Sequence, residues 1–210
     1  MRLHDHPRSS NAQKVRFLLS VLGLEYERRT VPFAVERADW HIAVNPVGGI
    51  PALIDGDVVL AESNAILRYL AARERRDDLL PPDRRERVPV DWLLDSVATT
   101  LRPACREIDG PAYGWRPRLG IGSAPPRPGD VPAAIASIAS QLAAFSRLLG
   151  DGGYACHGRL TLADCSAMPS LWRLLHAGAL NGHARLRTWA ETVAAHPAWA
   201  PVAAESGVPS

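Results

Sequence analysis

The sequence predicts an α/β half followed by an all-α half in one chain. Strand-like and helix-like stretches alternate up to about residue 72, strand signals then stop, and apolar residues afterwards recur only at helical spacing. At 210 residues and 47% apolar content, the chain has material for one large domain or two small ones around a real core.

The elements follow in order. Arg2–His6 reads as a short strand. Val15, Leu18, Leu19 and Leu22 form one helical stripe from Ser10 to Leu22. Ser9, Ser10 and Asn11 supply N-cap chemistry before that helix, and Gly23 stands where a left-handed C-terminal residue belongs. Tyr26–Val31 is a second strand, and a weak helix from about Glu36 to Val44 leads into the turn Asn45-Pro46-Val47-Gly48-Gly49. Ala52–Ile54 and Val58–Leu60 flank Asp55-Gly56-Asp57 as a hairpin. Ser63 is expected to cap a helix carrying Ile66, Leu67, Tyr69 and Leu70. The order βαβ–α–ββα describes a small mixed sheet covered by helices.

Arg73–Asp78 is charged, and Leu80-Pro81-Pro82-Asp83 reads as a linker, giving expected domains of residues 1–76 and 84–210. Val90–Cys105 and Ile135–Leu149 carry helical stripes, separated by Ser123–Gly129, whose prolines forbid helix. Thr161-Leu162-Ala163-Asp164 resembles a capping box opening an apolar helix to about Leu175. Leu186–Ala195 is a last helix, followed by a loosely patterned tail.

Composition excludes several classes. Lys+Arg 24 against Asp+Glu 22 leaves +2, too balanced for nucleic-acid binding by charge alone, and Lys14 is the only lysine. No apolar run reaches the roughly 18 residues of a membrane helix, and the N-terminus turns polar at once, unlike a signal peptide. Cys105, Cys156 and Cys165 are too few and too scattered for a disulfide framework or zinc site. His4-x-His6 has no third ligand near it in sequence, so no metal is expected. A soluble, cytoplasmic protein of a reducing compartment is the expectation.

Three features of the first half fit one ligand. Ser9-Ser10-Asn11 brings hydroxyls, an amide and free N–H groups to a helix start, which stabilises an anion such as a thiolate. A cis bond at Ile50-Pro51 would offer a strand edge to an extended peptide. Glu62-Ser63 pairs a carboxylate for an ammonium with a helix N-terminus for a carboxylate. Together they describe a site for the tripeptide thiol glutathione. Singly, each has a plainer reading: Ser9 and Ser10 as N-caps, Glu62 as a solvated first-turn acid. Their order along the chain favours the ligand.

Four motifs in this order resemble the bacterial glutathione S-transferase family: Ser9–Asn11 with Lys14-Val15-Arg16 and Leu22–Tyr26, Asn45–Leu53, Ala61–Leu70, and Leu160–Asp164. The resemblance implies a thioredoxin-like N-terminal domain, an all-helical C-terminal domain and a homodimer. It implies catalysis at Ser9, which points at the glutathione sulfur, with Asn11 after it in a Ser/Thr-x-Asn start. It implies glutathione binding by Ile50 and cis Pro51 at the cysteinyl backbone and by Glu62 and Ser63 at the γ-glutamyl end. Gly49 departs from the family pattern, in which many relatives carry Lys or Gln for the glycyl carboxylate, and His41 is the substitute considered. The implied activity is transfer of glutathione, as co-substrate and with no further cofactor, to a small electrophile. A disulfide-exchange enzyme and a non-catalytic binding protein are the alternatives. No Cys-x-x-Cys stands at the first helix start, which argues against dithiol chemistry by the protein itself. Trp92, Trp115 and Trp172 are expected in the core or in an apolar substrate pocket, and Arg68 and Tyr69 at the subunit contact.

Overall fold

The computed structural model describes residues 1–32, 36–114 and 130–209. Its first half is a four-stranded sheet in the order β2-β1-β3-β4, built from β1 (Arg2–Asp5), β2 (Glu27–Thr30), β3 (Ala52–Asp55) and β4 (Val58–Ala61). β1 and β2 run parallel through the crossover helix α1 (Ser10–Leu22), while β1–β3 and β3–β4 are antiparallel. The short α2 (Asp39–Ile42) precedes the turn, and α3 (Ser63–Arg73) follows the hairpin. This is the small mixed sheet that the sequence predicts, in the thioredoxin-like arrangement that the resemblance implies.

α1 is bounded as its sequence requires. Ser9 caps its start, and Gly23 closes it in the left-handed region at φ 65°. α3 starts differently from the expectation. Glu62 occupies the N-cap position at φ 67° without a side-chain cap bond, and Ser63 is the first helical residue.

The second half is all helix among its described residues: α4 (Arg84–Ser96), α5 (Arg102–Tyr113), α6 (Val131–Ser146), α7 (Leu162–His176), α8 (Ala184–Ala194) and α9 (Ala200–Ala204). α4 begins six residues before the stripe at Val90, because the Asp83 side chain accepts from Arg85 and Glu86 N–H at 2.8 and 3.1 Å. The stripe drawn through Cys105 is broken by a π-helical turn, Val97–Leu101. Pro103 has no N–H for the Thr99 carbonyl, and Thr99 Oγ1 bonds back to the Asp95 carbonyl at 2.9 Å, so the ladder slips there. α9 lies in the tail that showed no pattern. It follows buried Trp199, whose ring meets Phe17 of α1 edge-on at 5.4 Å.

The halves share one apolar core running from Leu3, Leu18 and Ile66 to Leu94, Leu171 and Trp189. α7 lies at its centre. Asp164 accepts from Thr161 N–H at 2.7 Å, as the capping-box reading expects, and also from Ala155 N–H and Trp189 Nε1. The stretch read as a linker packs inward: Leu79 and Leu80 are buried, and the Leu79 carbonyl takes the Leu162 N–H at 3.0 Å. Trp92 corrects the core expectation, being 58% exposed, whereas Trp172 is half-buried against Trp199. Trp115 and the Ser123–Gly129 segment lie outside the described residues.

Candidate functional site

Strand pairing brings the three sequence motifs to one end of the sheet. His4 pairs with Ala52 and Ala52 with Ala61, so the ends of β1 and β4 and the start of β3 lie side by side. The chain leaves those points as the Ser9 loop, the Ile50-Pro51 bond and the Glu62-Ser63 junction. Ile50 packs on Ala12 in the first turn of α1, which fixes the distance between peptide edge and helix start.

Ser9 is 9% exposed. Its Oγ accepts the Ala12 N–H at 3.3 Å, which uses a lone pair and leaves the hydroxyl proton for another acceptor. The first bond into α1 runs from Gln13 N–H to the Ser9 carbonyl at 2.8 Å, so the Ser10 and Asn11 N–H groups stand before the ladder. The Asn11 side chain is half-buried and makes no hydrogen bond among the described residues. Ser10 turns elsewhere: its Oγ accepts from Arg102 Nε of α5 at 3.3 Å.

The Ile50–Pro51 peptide is cis, as the sequence reading expects. The preceding Gly49 carbonyl accepts two bonds, from Asn45 Nδ2 and from His41 Nε2, each at 2.9 Å. His41 is 0% exposed, and its Nδ1 lies 3.1 Å from Nδ1 of His4. His41 thus lies beneath the turn, with Nε2 against the Gly49 carbonyl and Nδ1 against His4.

Glu62 is exposed and holds a positive φ, which a non-glycine residue adopts at a cost of about 1–3 kcal/mol. Ser63 is buried at the first position of α3, an eleven-residue helix whose free N–H groups begin there. Beside Glu62, Lys14 is 1% exposed, and burial first, then Arg102, pull its ammonium down to about 7. Sequence reasoning gave no site role to Lys14, Asn45, Asn64 or Arg102. Asn64 donates to the Leu94 carbonyl at 2.8 Å and accepts from Ser166 Oγ at 2.9 Å, tying α3 to α4 and α7.

Across the cleft, α5 and α7 present cations. Arg102 lies against Ser10, near Arg106 and Arg173, and Arg173 pairs with Asp109 at 3.0 Å and donates to the Arg8 carbonyl at 2.7 Å. Cys105 and Cys156 are buried, with thiols pushed by burial to about 12 and about 11, and Cys165 lies well above its ordinary value for the same reason. Thiols so placed are not thiolate nucleophiles. Among the described residues, no group of three His, Cys, Asp or Glu side chains could hold a metal ion.

A thioredoxin-like half, a helical half and a site at the sheet end beside α1 define the glutathione S-transferase fold. Residues 1–72 match the family model described as glutathione S-transferase, N-terminal domain, and residues 90–201 the corresponding C-terminal domain. The chain belongs to the glutathione S-transferase family. It is 36% identical over 183 residues to a Rhizobium meliloti protein named maleylacetoacetate isomerase, covering 81% of this chain and 79% of that relative. A Pseudomonas aeruginosa protein of the same name is 29% identical over 211 residues, covering 95% and 93% of the two. Among solved structures, apo human glutathione S-transferase T1-1 superposes with a TM-score of 0.80 at 26% identity, covering 99% of this chain and 91% of that one.

Proposed function

We propose that this protein is a glutathione-dependent enzyme that activates the glutathione thiol at Ser9 for attack on a small electrophile. The observation that carries the reading is the convergence of the capped α1 start, the cis Ile50–Pro51 edge and the strained Glu62-Ser63 junction at one sheet end. In the proposed pose Ser9 donates its hydroxyl proton to sulfur and Asn11 adds an amide. The Ile50 backbone pairs with the cysteinyl residue, Glu62 takes the γ-glutamyl ammonium, and Ser63 with its helix start takes the carboxylate. A free thiol of pKa about 8.5 is only a few per cent ionised at pH 7. Lowering it by about two units, worth roughly 2.7 kcal/mol, makes thiolate the major form. A hydroxyl donor and the positive end of α1 are suited to that task.

Arg102, held against Ser10, favours a second substrate that carries a carboxylate, which agrees with relatives named as maleylacetoacetate isomerases. Thiolate addition to an activated C=C bond can end in two ways. Proton capture at the neighbouring carbon gives a conjugate and consumes glutathione. Rotation followed by expulsion of the thiolate gives an isomer and returns it. Both start from the same site, so glutathione transfer and glutathione-assisted isomerisation are two outcomes of one activation. A homodimer in the reducing cytoplasm is the proposed setting.

The test is the pH–rate profile. Ser9→Ala is expected to raise the kinetic pKa of bound glutathione by about 1–2 units, with binding largely retained, while Ser10→Ala stays near wild type. A profile unchanged in Ser9→Ala but shifted in Ser10→Ala reverses the assignment. Consumption of glutathione in proportion to product separates conjugation from isomerisation. Steady reduction of a disulfide substrate in preference to either identifies the exchange chemistry.

A further inference from the structure

The His4–His41 pair does not belong to the thiol chemistry, yet it sits directly behind the peptide edge. Its hydrogen bonds determine its protons. A carbonyl only accepts, so the 2.9 Å contact with the Gly49 oxygen requires His41 Nε2 to carry a proton. In the neutral ring Nδ1 is then a bare acceptor. The 3.1 Å contact between the two Nδ1 atoms therefore requires the proton on Nδ1 of His4. That leaves His4 Nε2 as a lone pair, and this atom is buried without a hydrogen-bond partner among the described residues. The opposite tautomer would bury an orphan N–H instead. One protonation pattern fits these two hydrogen bonds.

The surroundings keep His4 uncharged. His4 is buried on β1, with the edge of Trp40 at 4.9 Å and Arg29 stacked over the Trp40 ring at 3.6 Å. The charged groups acting on His4 are Arg29 and Glu27 of β2 and Arg2 of β1. Burial first, then His41, hold its ring down to about 4. Adding a proton to the pair would set two N–H groups against each other or bury a cation.

The consequence falls on the neighbouring peptide. The Gly49–Ile50 bond is trans, so its C=O and N–H point in opposite directions. With the carbonyl held inward by His41 and Asn45, the Ile50 N–H is turned outward, and it makes no hydrogen bond among the described residues. We propose that His4 and His41 form a neutral, single-tautomer relay that holds the Gly49–Ile50 peptide with its N–H open to the cleft, which makes them positioning residues for the cysteinyl backbone of glutathione. The proposal rests on the glutathione reading above. It adds that affinity for the peptide backbone is set from behind the loop, through a proton arrangement anchored on β1.

Two measurements on the full chain test it. Long-range ¹H–¹⁵N correlation of the imidazoles at pH 7, assigned with single-histidine variants, should show His41 protonated at Nε2 and His4 at Nδ1. Calorimetric titration with glutathione then compares two substitutions. His41→Gln keeps an N–H donor at the Nε2 position and should bind within about threefold of wild type. His41→Asn places its amide near the Nδ1 position, away from Gly49, and should bind about fivefold to tenfold more weakly. The rate at saturating glutathione should change little in either. Protonation of His41 at Nδ1, or equal affinity of both variants, overturns the relay. Wild-type protein that shows the stated tautomers but binds no glutathione overturns the ligand assignment itself and with it the positioning role.

Discussion

Lys14 is the only lysine of the chain, and it is buried at 1% exposure one turn into α1. An ammonium there has lost its hydration, and Arg102 repels it while Glu62 attracts it, so its proton is held only below about pH 7. The unfolded chain binds that proton up to about 10.5, the ordinary lysine value. Between these limits the unfolded state carries more protons, so this group's contribution becomes less favourable to folding as pH falls from 10.5 to 7 and is constant below. Lys14→Met is therefore expected to raise stability at pH 7 on the order of 2–4 kcal/mol, with the gain shrinking as pH approaches 10. Denaturant unfolding of both proteins at pH 7 and 9.5 checks this, and a gain independent of pH would assign the effect to packing alone. The sequence showed Lys14 only as part of a motif, because burial of a charged residue leaves no periodicity signal. The same holds for His41, whose complete burial beneath the turn leaves no periodicity signal either.

At the scale of elements, what was legible came from local chemistry: the Asp-Gly-Asp hairpin, the Ser9 and Gly23 limits of α1, and the Thr161–Asp164 start of α7. What was not legible depended on partners far along the chain. The π-helical turn answers to Pro103, the exposure of Trp92 to the side of α4 left uncovered, and α9 to the docking of Trp199 on Phe17. The start of α3 combines both cases. Glu62-Ser63 was readable as a pair, whereas the positive φ at Glu62 was not. A strained residue at a site is retained for what it presents to a ligand rather than for stability. Glu62→Gly should accordingly stabilise the fold by about 1 kcal/mol while weakening glutathione binding roughly tenfold or more through the lost carboxylate. Ser63→Ala should weaken binding similarly without the stability gain. In both, the rate at saturating glutathione should fall less than the affinity. Wild-type affinity in both variants, read by titration calorimetry, would place the γ-glutamyl site elsewhere.

In the molecule as a whole, the α3–α4 seam is internally satisfied. Arg68 of α3 pairs with Asp91 at 2.9 Å and Asp95 at 3.6 Å of α4, and Tyr69 donates to Asp55 at 2.9 Å. Arg68 and Tyr69, the interface residues expected from the sequence, thus spend their polar groups within the chain. The surface beside them is the better candidate for a subunit contact. Trp92 and Val88 are 58% and 62% exposed at i and i−4 on α4, an apolar pair on one helix face. An aromatic side chain left in water at that exposure forgoes burial worth on the order of 1–2 kcal/mol, the kind of residue that anchors interfaces. The whole chain is therefore expected to sediment as a dimer of its 22.7 kDa subunit at micromolar concentration, and Trp92→Glu to shift it toward monomer by at least tenfold in dissociation constant. Circular dichroism of the variant should remain that of the wild type, since the exposed Trp92 side chain contributes little to the core. A wild-type monomer, or a Trp92→Glu variant that dimerises as tightly as wild type, would show that this face is not where two copies meet.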